Sequence, residues 1–143
     1  MGRVYSKLGD YNKGIELNDK ATSIFKSLGD SASVAGCYNE RGVMHYLLDE
    51  FLVAERFLQR ALTINRAQRN LKEIATNLNN LCLYQGDTDK KLSFIQEAIA
   101  INKNLDAQWS LGENYNNMGK QYYFGEQYSK ALEALQKAYE YAH

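Results

Sequence analysis

One short phrase occurs four times in this chain of 143 residues. It reads "LGDYNKGIEL" from Leu8, "LDEFLVAERF" from Leu48, "QGDTDKKLSF" from Gln85 and "GEQYSKALEA" from Gly125. Aligned on the small residue after the turn, the copies superimpose Gly14, Ala54, Lys91 and Ala131. In every copy an alanine follows seven residues later: Ala21, Ala61, Ala98 and Ala138, spaced 40, 37 and 40 residues apart. A unit of that size cannot bury an apolar face alone, so copies must stack on one another; a fixed period in this range predicts a solenoid.

Each unit reads as two helices around an acidic turn. In the second, Tyr38, Val43, Tyr46 and Leu47 form a helical stripe that Asp49 and Glu50 break; Phe51, Ala54, Leu58, Ala61, Leu62 and Asn65 then step at threes and fours. The chain has no Pro, which agrees with uninterrupted helix. Gly2, Gly42 and Gly119 are assigned one position upstream of the turn, where paired helices must approach closely, and Asn79 is expected to fill it in the third copy. Tyr11, Phe51, Thr88 and Tyr128 close the turns. Leu58, Ile95 and Leu135 supply bulk between repeats, each worth roughly 1.5–3 kcal/mol on burial. Leu28, Leu71 and Leu105 are expected to seal helix ends, with Asp30 and Asp106 beside the N-termini that follow. This register makes the second repeat's second helix about one turn longer and leaves a short first helix near 72–85.

These residues resemble the tetratricopeptide repeat family. Gly2 and Tyr5, Gly9-Asp10-Tyr11, Ile15 and Ala21 match its pattern in the first copy; Gly119 and Tyr122, Tyr128, Ala131-Leu132, Leu135 and Ala138 match in the last. The period is longer than the usual 34 residues, which resembles the long-helix subtype found in signalling scaffolds, kinesin light chains and bacterial sensor-regulators. Gly14, Lys91, His45, Cys82 and Thr88 depart from the pattern. The resemblance implies an all-α, right-handed α-α superhelix over residues 1–143 as one domain. Its repeats are expected at 1–28 (truncated), 29–69, 70–105 and 106–143. Only two turns of the first helix, Met1 to Leu8, precede the first turn. The last helix, from Gln127 to about Ala142, has no polar cap after it. The expectation is therefore a fragment of a longer array, with Tyr139 and Tyr141 exposed.

Composition narrows the function. Lys plus Arg equals Asp plus Glu, 17 of each, so the chain lacks the basic excess that phosphate backbones attract. No apolar run reaches membrane-spanning length, and the first ten residues lack a signal-peptide core. The opening "MGRVYS" fits an N-myristoylation pattern, but close helix approach accounts for Gly2 better. Cys37 and Cys82 lack metal-ligand spacing and sit in apolar helical patterns, so both read as buried thiols. There is no phosphate loop, nucleophile elbow or metal-spaced His pair. His45, on the inner stripe, reads as a packing residue. The chain is expected to be cytoplasmic, to use no cofactor or metal, and not to be an enzyme.

What the resemblance implies instead is a non-catalytic module that binds an extended peptide or protein segment in a concave groove lined by first helices. The groove-facing set is Arg3, Ser6 and Lys7 in the first repeat and Asn39, Val43 and Tyr46 in the second. Thr76, Asn77, Asn80, Leu83 and Tyr84 follow in the third, and Asn116, Asn117, Lys120, Tyr123 and Phe124 in the fourth. Asparagine recurs in that set. An amide both donates and accepts, so a ladder of amides suits a peptide backbone, and tyrosines add flat contact area. Amides bridging adjacent helices are the plainer reading of the same pattern. Arg3 and Lys120 lie three repeats apart, which does not support a carboxylate clamp. Trp109 is expected to seal the turn around 105–112. A protein or peptide partner is expected, with no direct nucleic-acid binding and no membrane insertion. The alternative is a self-association or signal-relay segment of a larger sensor or transcription regulator, with a homodimer through the terminal helix as an option.

Overall fold

The computed structural model describes residues 3–82 and 87–142; for side chains the description covers 9–82 and 87–141. Within these residues the chain is seven helices: α1 (Arg3–Ser27), α2 (Ser31–Leu47), α3 (Phe51–Ala67), α4 (Leu71–Cys82), α5 (Thr88–Asn104), α6 (Gln108–Phe124) and α7 (Tyr128–Ala142). The described residues contain no strand, so the fold is all-α, as the periodicity predicts. They form two compact units, residues 1–69 and residues 70–143.

The reversals share one hydrogen-bond pattern. After α2, Glu50 N–H donates to the carbonyl of His45 (2.8 Å) and Asp49 N–H to that of Tyr46 (2.9 Å). The same pair of bonds follows α1, α5 and α6. It satisfies the last carbonyls of the helix and turns the chain sharply. The motif needs one left-handed residue. Gly29 supplies it after α1 (φ 70°), but Asp49, Arg69, Asp106 and Glu126 occupy the equivalent position after later helices, with φ between 52° and 61°. A left-handed L-residue costs about 1–2 kcal/mol. Glu126→Gly should therefore stabilise the protein by about 1 kcal/mol, read as a higher midpoint in urea, once the extra chain entropy of glycine is subtracted.

In unit 1, α2 and α3 pack as a hairpin at the position the repeat reserves for small residues. A β-carbon on Gly42 would lie 2.7 Å from Leu58 Cγ and 3.1 Å from the Ala54 carbonyl oxygen. Ala54, Leu58, Ala61, Leu62 and Asn65 are buried, as their spacing predicts. His45 is buried and packs. Its ring stacks on Phe57 (5.5 Å, 5°). Arg41 Nε donates to its Nε2 (3.1 Å), which leaves Nδ1 to donate to Glu50 Oε1 (3.0 Å). Arg41 also pairs with Asp19 of α1, and buried Asn18 donates to the Cys37 carbonyl (3.0 Å).

The first repeat corrects the sequence reading. No turn interrupts Gly9-Asp10-Tyr11: α1 is one helix of 25 residues. Continuing the same helix through these residues satisfies their backbone groups within α1. Arg3 and Lys7 thus belong to the opening turns of α1 rather than to a first helix, and their side chains, with that of Ser6, lie outside the described residues.

Unit 2 packs two hairpins, α4–α5 and α6–α7, around Cys82, Ile95, Ile99, Leu111 and Tyr115, with Phe94, Met118, Ala138 and Tyr141 against them. Gly119 repeats the contact seen at Gly42: a β-carbon there would meet Leu135 Cδ2 at 2.7 Å and the Ala131 carbonyl oxygen at 3.3 Å. Ala98 is fully buried and Ala138 half-buried, as the repeat requires.

The third copy needs a second correction. The buried residues Ile74, Ala75, Asn77, Leu78 and Cys82 of α4 fall into line with Val34, Ala35, Cys37, Tyr38 and Gly42 of α2. They fall equally into line with Leu111, Gly112, Asn114, Tyr115 and Gly119 of α6. Cys82, not Asn79, therefore stands at the close-approach position. The third hairpin is shorter by three residues: 19 positions separate Gly42 from Ala61 and Gly119 from Ala138, but 16 separate Cys82 from Ala98. The deficit falls between Cys82 and Thr88, because α3 and α5 both have 17 residues, and the expected extra turn of α3 is absent. Burial pushes the Cys82 thiol up to about 11, so it stays neutral and packs as a small apolar group.

Candidate functional site

The asparagines of unit 2 are joined. Asn102 Nδ2 of α5 donates to Asn114 Oδ1 of α6 (2.7 Å). Asn114 Nδ2 donates to Asn79 Oδ1 of α4 (3.1 Å), and Asn117 Nδ2 donates to the same oxygen (2.9 Å). Four amides from three helices thus form one relay. Asn102 and Asn114 are buried, where an unpaired amide would cost about 1–3 kcal/mol. Paired, they fix the lateral register of α4, α5 and α6 in a way that apolar contacts alone do not.

The relay floors a cavity of about 530 Å³ between α4 and α6. Thr76, Asn79 and Asn80 line it from α4, Ser110 and Glu113 from α6, and Asn102 and Asn114 from below. Lys72 and the α5–α6 turn at Leu105 and Ala107 complete it. Thr76 and Glu113 are exposed and Asn80 is half-buried. The lining therefore offers amides, hydroxyls, one carboxylate and one ammonium, with no dominant charge. Such a surface can hydrogen-bond a polar chain; it has no nucleophile–base pair. Among the described residues no group of three His, Cys, Asp or Glu could hold a metal.

The groove set read from the sequence is only partly gathered here. Thr76 and Asn80 line the cavity, and Asn117 bounds it through Asn79. Asn77 does not: it is fully buried, because its position in α4 is that of Asn114 in α6, on the packing side of the helix. Asn116 is exposed but lies in a different cleft, with Trp109 and Tyr139. Lys120 is exposed; Tyr123 is exposed and meets Tyr128 and Phe124 edge-on at 5.6 and 6.0 Å. In unit 1, Asn39, Val43 and Tyr46 are half-buried, and Tyr46 leans on Phe51 at 5.4 Å. Leu83 and Tyr84 lie outside the described residues.

Asn79, Asn102, Asn114, Ser110 and Glu113 were not selected from the sequence. A signal for the asparagines existed: Asn65 and Asn102, Asn77 and Asn114, Asn79 and Asn116, and Asn80 and Asn117 are all 37 residues apart. The first pair aligns α3 with α5, and the other three align α4 with α6. Trp109 also departs from expectation. It is 76% exposed and seals nothing. Leu28, Leu71 and Leu105 are likewise exposed at the helix junctions.

The class this fold defines is the all-α helical repeat, hairpins of like construction set one after another. The sequence model described as tetratricopeptide repeat matches residues 1–67. No curated protein matches the sequence. Among solved structures, the chain is similar to BtubC (BKLC) from P. vanneervenii: 22% identity, a TM-score of 0.84, and coverage of 98% of this chain. The alignment spans 59% of the BtubC chain. At that identity the likeness establishes the fold. No helix among the described residues is long and apolar enough to cross a membrane.

Proposed function

We propose that the chain is a non-catalytic interaction module of the tetratricopeptide type that holds an extended segment of a partner protein. The cavity between α4 and α6 is its anchoring subsite. The amide-floored cavity carries this reading, because its lining matches what an extended peptide needs. Backbone N–H and C=O groups lose water on binding and must find partners. Asn80, Ser110 and Glu113 present polar groups to them, and Thr76, whose hydroxyl donates to the Lys72 carbonyl (3.1 Å), presents an acceptor, on helices already held in place by the buried relay. Exposed Lys120 and Tyr123 lie further along α6, where they extend the contact.

The test starts with a displayed library of random peptides selected against the chain. The Thr76→Ala/Glu113→Ala variant removes two exposed polar groups and leaves the relay intact. It should weaken a selected peptide about tenfold, the worth of one or two hydrogen bonds to a charged or polar guest. Unchanged affinity with unchanged helicity would move binding elsewhere on the molecule.

A further inference from the structure

The amide relay is open at both ends. Asn79 Oδ1 accepts twice, from Asn114 (3.1 Å) and Asn117 (2.9 Å), and Asn79 Nδ2 has no partner among the described residues. At the other end Asn102 Nδ2 is engaged by Asn114 Oδ1 (2.7 Å), and Asn102 Oδ1 has no partner among them either. Asn102 is only 4% exposed. Yet among the described residues no side-chain oxygen or nitrogen is sealed from solvent without a partner. The free oxygen therefore opens outward, and the cavity that Asn102 lines is where it opens. Asn79 lines the same cavity. Its floor thus offers unpaired N–H donors at one end and an almost wholly buried, unpaired acceptor at the other.

We propose that these two ends take the side-chain carboxamide of a glutamine or asparagine in the partner segment, an inference that rests on the cavity being that segment's anchoring subsite. The span fits. Asn114 shows that one carboxamide reaches from Asn102 to Asn79, and a second, from the guest, joins the two ends that Asn114 leaves. A primary carboxamide carries its oxygen and an N–H side by side on one edge, so it meets a donor and an acceptor on one floor. A peptide group of the guest backbone does not, because its C=O and N–H point opposite ways across a trans bond. Depth makes the same distinction: the floor lies beneath exposed Thr76 and Glu113, within reach of a side chain rather than a main chain. Other side chains fail on the same atoms. A carboxylate has no hydrogen for Asn102 Oδ1, and an ammonium has no acceptor for Asn79 Nδ2. Lys72 and Glu113, the charged groups of the lining, are exposed, so a charge on the floor would go unpaired. A leucine would strip water from both ends and return nothing. Ala75, Leu105 and Ala107 give the guest's methylenes an apolar wall. Turning every amide of the relay over exchanges the donor end with the acceptor end and leaves the same guest favoured.

The test uses a peptide from the displayed library whose binding Thr76→Ala/Glu113→Ala weakens. One position of it should be glutamine or asparagine. Replacing that residue by its own acid, or by leucine, should weaken binding to the unaltered chain about tenfold, as expected when buried polar groups lose their partner. The side-chain NH₂ resonances of Asn79 should move with the carboxamide peptide and not with the leucine form. The floor chooses the side chain while the groups above it hold the backbone. In Asn102→Leu/Asn114→Leu the carboxamide form should therefore lose only about threefold, and its advantage over leucine should vanish. Asn79→Asp keeps the oxygen that Asn114 and Asn117 use and puts an acceptor where the free donor was. There the lysine form should bind more tightly than the glutamine form, the reverse of the order on the unaltered chain. Peptides that depend on Thr76 and Glu113 but take leucine or an acid at every position without loss overturn this inference and leave the cavity as a binding site. So does glutamine still ahead of lysine on a folded Asn79→Asp chain. A library that yields no peptide sensitive to Thr76→Ala/Glu113→Ala overturns both.

Discussion

A side chain at Gly42 or Gly119 should cost more stability than a change at most other positions. Gly42→Val is expected to destabilise the protein by about 3 kcal/mol, and Gly119→Val by about the same. The sequence gains nothing visible from glycine in mid-helix, where it is worse than alanine by roughly 1 kcal/mol. The structure shows what the glycine makes room for. A β-carbon at 42 would lie 2.7 Å from Leu58 and 3.1 Å from a backbone oxygen; at 119 the neighbours are Leu135 at 2.7 Å and the Ala131 carbonyl oxygen at 3.3 Å. A leucine side chain can turn aside, but the carbonyl is held in its own helix, so the helices must separate. Overpacking of this kind typically costs 1–3 kcal/mol, occasionally more.

The cause can be isolated by a double-mutant cycle. Leu58→Ala alone should cost about 2–5 kcal/mol as a cavity mutation. In Gly42→Ala/Leu58→Ala the new methyl enters the space that Leu58 leaves. The pair should then cost less than the sum of the singles by at least about 1 kcal/mol, measured by urea denaturation. Additive costs would mean that the glycine serves some purpose other than close approach. Leu135 is partly exposed, so the same cycle at Gly119 and Leu135 should give a smaller coupling.

Those two glycines were legible in the sequence because two copies of the unit preserve the pattern intact: a glycine, twelve residues to an alanine, four more to a leucine. The alanines at 61 and 98 were legible for the same reason. The third copy was misread because it is three residues shorter between Cys82 and Thr88, and an alignment made on the turn carries that deficit into the helix. Asn79 was put where Cys82 belongs. The first copy was misread because turn residues alone do not make a turn. Gly9 and Asp10 lie within α1. Among the asparagines, residue type could not separate Asn77, in the core, from Asn80, at the cavity. One face of α4 packs and the other does not, and the difference is a rotation that only the correct register supplies. Trp109 was assigned to the turn by size, but a large apolar residue next to a turn packs only if an element lies over it.

Asn114→Ala is expected to destabilise the protein by about 3 kcal/mol, although it deletes only a small polar side chain. Asn114 is the central link of the relay, accepting from Asn102 and donating to Asn79. Its loss leaves the buried Asn102 amide facing a cavity with its donor unpaired, and an orphaned buried amide costs about 1–3 kcal/mol before any loss of packing. Asn79 loses less, because Asn117 still donates to it. Removing the orphan should therefore restore stability: Asn102→Leu/Asn114→Leu should be more stable than Asn114→Ala by about 1–2 kcal/mol, since two apolar groups leave no polar group unpaired. If the double variant is no better, the relay does not set the energy of this contact. The same variants divide the asparagines by what they do. In the double variant the floor of the cavity is apolar but its upper lining is unchanged. A peptide held by Thr76, Asn80, Ser110 and Glu113 should keep most of its affinity there, while Thr76→Ala/Glu113→Ala loses affinity and keeps its stability. Stability that follows one pair of substitutions and affinity that follows the other would distinguish the amides that hold the helices in register from the polar groups that meet a guest.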